Sequence, residues 1–124
     1  MANVSYFTVG SNDLERAKTF YDALLGSIGM RGVFEHPTGG RLYASRTGGM
    51  FGVLGPYDGN PATIGNGTMG GFSFDTRDEV DAFHAKALEL GGTCEGEPGQ
   101  RGPTTYFAYF RDPDGNKLCG YKIG

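Results

Sequence analysis

Cysteine and histidine are scarce in this chain, with two of each in 124 residues, and tryptophan is absent. Cys94 and Cys119 are too few for a disulfide framework and lack a metal-like spacing, so a reduced pair is the default. His36 precedes Pro37 in a Gly-rich turn, and His84 sits beside Phe83 in a helix-like segment. Both read as solvated or partly packed side chains. No apolar run approaches membrane-spanning length, and Met1–Ser5 lacks the features of a signal peptide. A net charge of −3 without a basic stripe argues against a nucleic-acid partner. The expectations are therefore a cytoplasmic location, with neither nucleic acid nor membrane as partner.

What is abundant is glycine, at 23 residues, and aromatic surface, from 9 Phe and 7 Tyr. The glycines are interspersed with strand-like aromatic runs and fall at plausible turns, so a globular domain is expected, with aromatics supplying much of its buried area. The length suits one domain.

Two segments repeat. Asn12–Gly29 and Asp75–Gly92 align at an offset of 63, which superposes Phe20 on Phe83, Leu25 on Leu88 and Gly29 on Gly92. Each has a helical period, with Leu14, Ala17, Phe20, Tyr21, Leu24, Leu25 and Ile28 on one face of the first, and Val80, Phe83, Ala87 and Leu88 on one face of the second. Asn12 with Glu15, and Thr76 with Glu79, give capping signals, and glycines follow both segments. Strand-like runs precede each helix (4–10 and 68–74). Three more follow each: 30–35, 41–45 and 49–54, then a short Gly-interrupted piece near 93–95, 105–110 and 117–121. The pattern is βαβββ twice, and two units that cannot each bury an apolar face should pair into one domain. Residues 57–66 are rich in turn formers and read as the linker between module one (3–56) and module two (67–124). Gly65–Gly70 fits GxGxxG literally, but it runs from a loop into a strand and so cannot seat a phosphate at a helix start.

The most distinctive stretch is Tyr109–Cys119, where a strand enters Asp112-Pro113-Asp114-Gly115 and a second strand leaves it. Pro113 pre-sets φ, and Asp114 and Gly115 tolerate the left-handed positions of a tight reversal. Together with the opening GSNDLERAKTFYDALLG, the segment FRDPDGNKL resembles the vicinal oxygen chelate superfamily of glyoxalase, bleomycin-resistance and extradiol dioxygenase relatives. That resemblance covers essentially the whole chain. It implies an α+β fold in which two βαβββ modules form a curved mixed-sheet cleft around a small molecule, and it implies a homodimer.

In metal-using members of the superfamily the first and fifth strands supply His or a similar ligand, and the strand after the last hairpin supplies Glu. Those positions fall here on Tyr6, Met69 and Cys119, and 49–55 holds no His, Asp or Glu. A divalent ion that prefers oxygen and imidazole finds almost nothing there, so no metal and no cofactor are expected. Strand alternation sends Phe7, Val9, Phe72 and Phe74 toward the helices. It leaves Tyr6, Thr8, Met69, Gly71 and Ser73 on the cleft face. Cys119 reads as a small buried apolar residue in preference to a thiol whose pKa Lys117 lowers; Tyr121 shares its face. Arg101 offers a bidentate partner for a carboxylate or is simply solvated, whereas Arg111 braces the hairpin turn. One of the two faces of 105–110 must present aromatic surface, with its orientation open. The candidate ligand-binding residues are Tyr6, Thr8, Met69, Ser73, Arg101, Cys119 and Tyr121.

The reading that follows is a metal-free protein of this superfamily that binds a small organic molecule. The alternative is a lyase or isomerase of glyoxalase type, similar to lactoylglutathione lyase, with an atypical site. A third class is an interaction module whose cleft is filled by its own side chains.

Overall fold

The computed structural model describes residues 1–124. It contains two compact units, Met1–Ile64 and Gly65–Gly124. The first consists of β1 (Tyr6–Gly10), α1 (Leu14–Gly26), β2 (Arg31–Glu35), β3 (Arg41–Ala44) and β4 (Met50–Leu54). The second consists of β5 (Gly70–Ser73), α2 (Arg77–Glu89), β6 (Thr93–Gln100), β7 (Thr105–Arg111) and β8 (Lys117–Ile123). Each forms a four-stranded mixed sheet, ordered β1-β4-β3-β2 and β5-β8-β7-β6. In both, the first strand pairs parallel with the last and the other pairs are antiparallel. The architecture is α+β with two βαβββ modules. Neither helix is long and apolar enough to cross a membrane.

The helices form where the apolar period requires. In α1, Ala17, Phe20, Tyr21, Leu24 and Leu25 are buried. They meet Phe51, Val53 and Tyr43 of the sheet, with Tyr21 and Phe51 ring centroids 4.7 Å apart. The start of α1 departs from expectation. Asp13, not Asn12, is the cap, and its side chain accepts from Arg16 N. Asn12 instead clasps the chain that follows β4. Its amide donates to Ala62 O at 3.1 Å, and its carbonyl accepts from Ala62 N at 2.7 Å. A polar clamp fixes α1 to β3, because Tyr43 Oη donates to Asp22 at 2.7 Å and Arg41 bridges Asp22 and Glu35. Burial alone would raise the Asp22 pKa, but the hydrogen bonds from Arg41 and Tyr43 outweigh it and hold the carboxyl below its usual range.

In α2, Thr76 and Glu79 complete the expected capping box. The buried stripe is Val80, Phe83, His84 and Ala87, so His84 is a core-facing residue and not a solvated one. The reason is spacing, since His84 stands four residues after Val80 and shares its face. Phe83 anchors the second core against Phe72, Phe74 and Phe110, at centroid separations of 5.2, 5.1 and 5.5 Å. Such rings each contribute about 1.5–3 kcal/mol through burial.

Two other expectations are corrected. The piece near 93–95 is in fact the eight-residue β6, which tolerates Pro98 because it lies at the sheet edge and its register shifts twice against β7. At the last hairpin only Gly115 has positive φ, at 94°, and Asp114 does not. Asp112 does the organising. Its carboxylate accepts from Asp114 N, Asn116 N and Asn116 Nδ2 within 3.0 Å.

Candidate functional site

In the second unit, the sheet face turned away from α2 is built by alternation along β7 and β8. Ala108 and Phe110 are buried on the helix side, and a Cβ added to Gly120 would strike Phe83. Phe107, Tyr109, Cys119 and Tyr121 must therefore lie on the opposite face, where Tyr109 pairs with Cys119 and Phe107 with Tyr121. The orientation left open by the sequence is thus fixed. Tyr106 belongs to the helix side, where its hydroxyl donates to Asp81 at 2.6 Å and Arg77 stacks on its ring.

The result is an aromatic ladder. Phe107 stacks with Tyr121 (5.1 Å between centroids, 13° between planes) and with Tyr109 (5.7 Å, 14°). Two cations flank it, the Arg101 guanidinium 5.6 Å and the Lys117 ammonium 5.3 Å from the Tyr109 centroid. Arg101 is held by donation to the Glu97 carbonyl at 2.6 Å. Arg111 braces the turn as expected, donating to Gly115 O at 3.0 Å and to Glu95 at 2.9 Å.

Cys119 lies beneath this surface at 2% exposure. Burial pushes its thiol up to about 11, and Lys117 opposes that only in part. The sulfur is therefore a neutral packing group at physiological pH. Gly71 makes its position possible, because a Cβ there would come within 3.1 Å of both Cys119 Sγ and the Tyr121 ring. Ser73 pairs with Tyr121 across β5 and β8, and Met69, 45% exposed, immediately precedes β5. The second unit thus brings together Cys119, Tyr121 and Ser73, with Arg101 over the neighbouring Tyr109. Tyr6 and Thr8 belong to the first unit. Phe7 packs on Phe51 of the helix side, leaving Tyr6 and Thr8 on the open face of that sheet with Leu42 and Leu54 around Gly52.

Phe107, Tyr109 and Lys117 stood outside the candidate ligand-binding residues, although the sequence pointed to one aromatic face along 105–110 and to Lys117 beside Cys119. The signal for them was the odd–even alternation between small, buried Ala108 and its neighbours, readable only once the helix side of β7 was known. An open depression of about 530 Å³ lies elsewhere, lined by Ser11, Asn12, Thr38, Pro56, Tyr57 and Asn60. It has no charged side chain and takes in none of the candidate residues.

The sequence profile of the Glyoxalase/Bleomycin resistance protein/Dioxygenase superfamily matches residues 3–119. The chain belongs to this superfamily. A glyoxalase/bleomycin resistance protein from Albidiferax ferrireducens T118 is 46% identical, with 98% of each chain covered and a TM-score of 0.87. A glyoxalase/bleomycin resistance protein/dioxygenase family enzyme from Burkholderia phytofirmans PsJN shares the fold at 19% identity (TM-score 0.77, covering 99% of this chain and 100% of that one). So does a lactoylglutathione lyase from Agrobacterium tumefaciens at 20% identity (TM-score 0.72, 98% and 94% covered). No functionally curated protein matches the chain.

The superfamily's metal is poorly served by the residues here. Tyr6 offers a phenol, Met69 a thioether and Cys119 a buried thiol that burial keeps protonated. On the open face of its own sheet β4 offers Met50, Gly52 and Leu54, and on the open face of its own sheet β5 offers Gly71 and Ser73. Such a set lacks the imidazole and carboxylate donors that a hard or borderline divalent ion takes.

Proposed function

We propose that this member of the superfamily binds a small, planar organic molecule bearing an anionic group, on the open face of its second sheet. The carrying observation is the ladder of Phe107, Tyr109 and Tyr121 with two cations at its edge. Stacked rings provide apolar, flat surface with little conformational entropy to lose. Arg101 and Lys117 supply positive charge beside it, and a guanidinium can grip a carboxylate with two parallel hydrogen bonds. Ser73 and the Tyr121 hydroxyl add orienting polar groups, Met69 adds adaptable apolar contact, and Cys119 supports the floor without taking part in chemistry. Tyr6 and Thr8 offer hydroxyls on their own sheet. In this reading the binding needs no metal.

A homodimer belongs to the same proposal. Strand β2 is exposed along its whole length, with Val33 48% and Phe34 55% exposed, which leaves an apolar sheet edge for a second copy to cover.

Native mass spectrometry of freshly purified protein, followed by fluorescence titration with naphthoate and related aromatic carboxylates, tests the proposal. The expected result is a dimer mass and saturable carboxylate binding. Tyr109→Leu and Arg101→Gln should each weaken that binding by roughly tenfold, a loss of about 1.4 kcal/mol. Binding that both variants retain at full strength, or no binding at all, overturns the assigned face; a monomer at micromolar concentration overturns the dimer.

A further inference from the structure

The helix side of the second sheet carries a cluster that the aromatic face does not use. One ring nitrogen of His84, the Cys94 sulfur and a Glu97 carboxylate oxygen all lie within 4.8 Å of one another. We propose that these three side chains form a binding site for a thiophilic divalent transition ion, of which zinc is the type.

The local fold explains how the three meet. Residues three apart on a regular strand point to opposite faces, so Cys94 and Glu97 should diverge. The register shifts after Cys94 and again after Gly96, and each inserts an extra residue opposite β7. That undoes the alternation, and Cys94 Sγ reaches Glu97 Oε1 at 3.4 Å. Cys94 pairs with Phe110, whose ring packs on Phe83 of α2, so both face the helix that bears His84. The site is thus on the opposite side of the sheet from Cys119 and the ladder.

His84 supplies an independent sign. It is 3% exposed, and its Nε2 is buried without a hydrogen-bond partner among the protein's groups. A buried imidazole nitrogen with no partner carries a desolvation cost that a metal bond would remove. The donor set also suits the ion. One neutral imidazole, one thiolate and one carboxylate balance a divalent charge once the Cys94 proton has gone to solvent. Zinc–sulfur and zinc–nitrogen bonds place neighbouring donors about 3.5 Å apart, so the cluster closes with donor movements on the order of 1 Å. Cys94 is partly exposed and Glu97 exposed, which gives an ion its route in and leaves a fourth position for water. Neither oxygen-loving magnesium nor calcium fits an imidazole and a thiol.

The test is titration of chelator-stripped, reduced full-length protein with cobalt(II), then with zinc(II). The expected result is one equivalent of cobalt bound, with a thiolate-to-cobalt charge-transfer band that zinc abolishes. Cys94→Ser should remove the band and weaken zinc binding by roughly a hundredfold or more, and His84→Gln and Glu97→Gln by at least about tenfold each. Cys119→Ser should leave the band in place. Glu97→Gln, on an exposed side chain, keeps the test decisive if the His84 variant folds poorly, as circular dichroism would reveal. Absence of saturable cobalt binding by the folded wild-type protein overturns the site. So does a band that survives Cys94→Ser.

Discussion

The ionisation of Cys119 separates a packing role from a chemical one, and its size follows from burial. The thiol is 2% exposed and its pKa is raised from 9.0 to about 11. That rise corresponds to about 2.7 kcal/mol against the thiolate in the folded state. At pH 8 the thiolate fraction falls from about one in ten to about one in a thousand. Stability must change as well. The unfolded thiol ionises near 9, so from there to about 11 the unfolded chain releases a proton that the native chain keeps. Native stability is therefore intact below pH 9 and falls as pH rises, by up to about 2.7 kcal/mol, levelling off beyond the folded pKa. Urea denaturation across that pH range, comparing Cys94→Ser with Cys94→Ser/Cys119→Ala, isolates the effect because all other alkaline titrations are shared. The stability difference between the two proteins should narrow or reverse by that amount. A difference that stays flat, or a thiol-labelling profile in the single variant with its midpoint at or below pH 9, refutes the assignment of Cys119 as a neutral floor residue.

Two further outcomes test the framework that carries the face. Asp112→Ala removes the acceptor of three hydrogen bonds and strands the buried Asn116 amide, so the urea midpoint should fall by an amount equivalent to about 3 kcal/mol; a change below about 1 kcal/mol would show that the turn is held by other means. Thr76→Ala breaks the α2 capping box and should cost about 1 kcal/mol in the same assay, with the fold unchanged by circular dichroism.

The fold was legible because it is written twice. Helices Leu14–Gly26 and Arg77–Glu89 stand at the 63-residue offset found in the sequence. The same offset places Asp13 on Thr76 and His84 on Tyr21, which would have identified both the true cap of α1 and the burial of His84 had it been applied there. What resisted reading has physical causes. Strand β6 contains Pro98, two glycines and two register shifts, a loop-like composition that only an irregular edge strand accommodates. The direction of Phe107 and Tyr109 depends on which side of β7 meets α2, a tertiary fact with no local signal. The proximity of His84, Cys94 and Glu97 depends on the register shifts themselves, which residue spacing cannot reveal.

The closure of each sheet on its own stretch of chain has a consequence for synthesis. Strand β1 waits for β4 as its parallel partner, and that partner is complete at Leu54. No strand pairing in the first sheet requires any residue of the second unit. A ribosome that delivers the chain amino terminus first therefore supplies every strand partner of the first sheet while the second half is still being made, so strand pairing requires no exchange between halves.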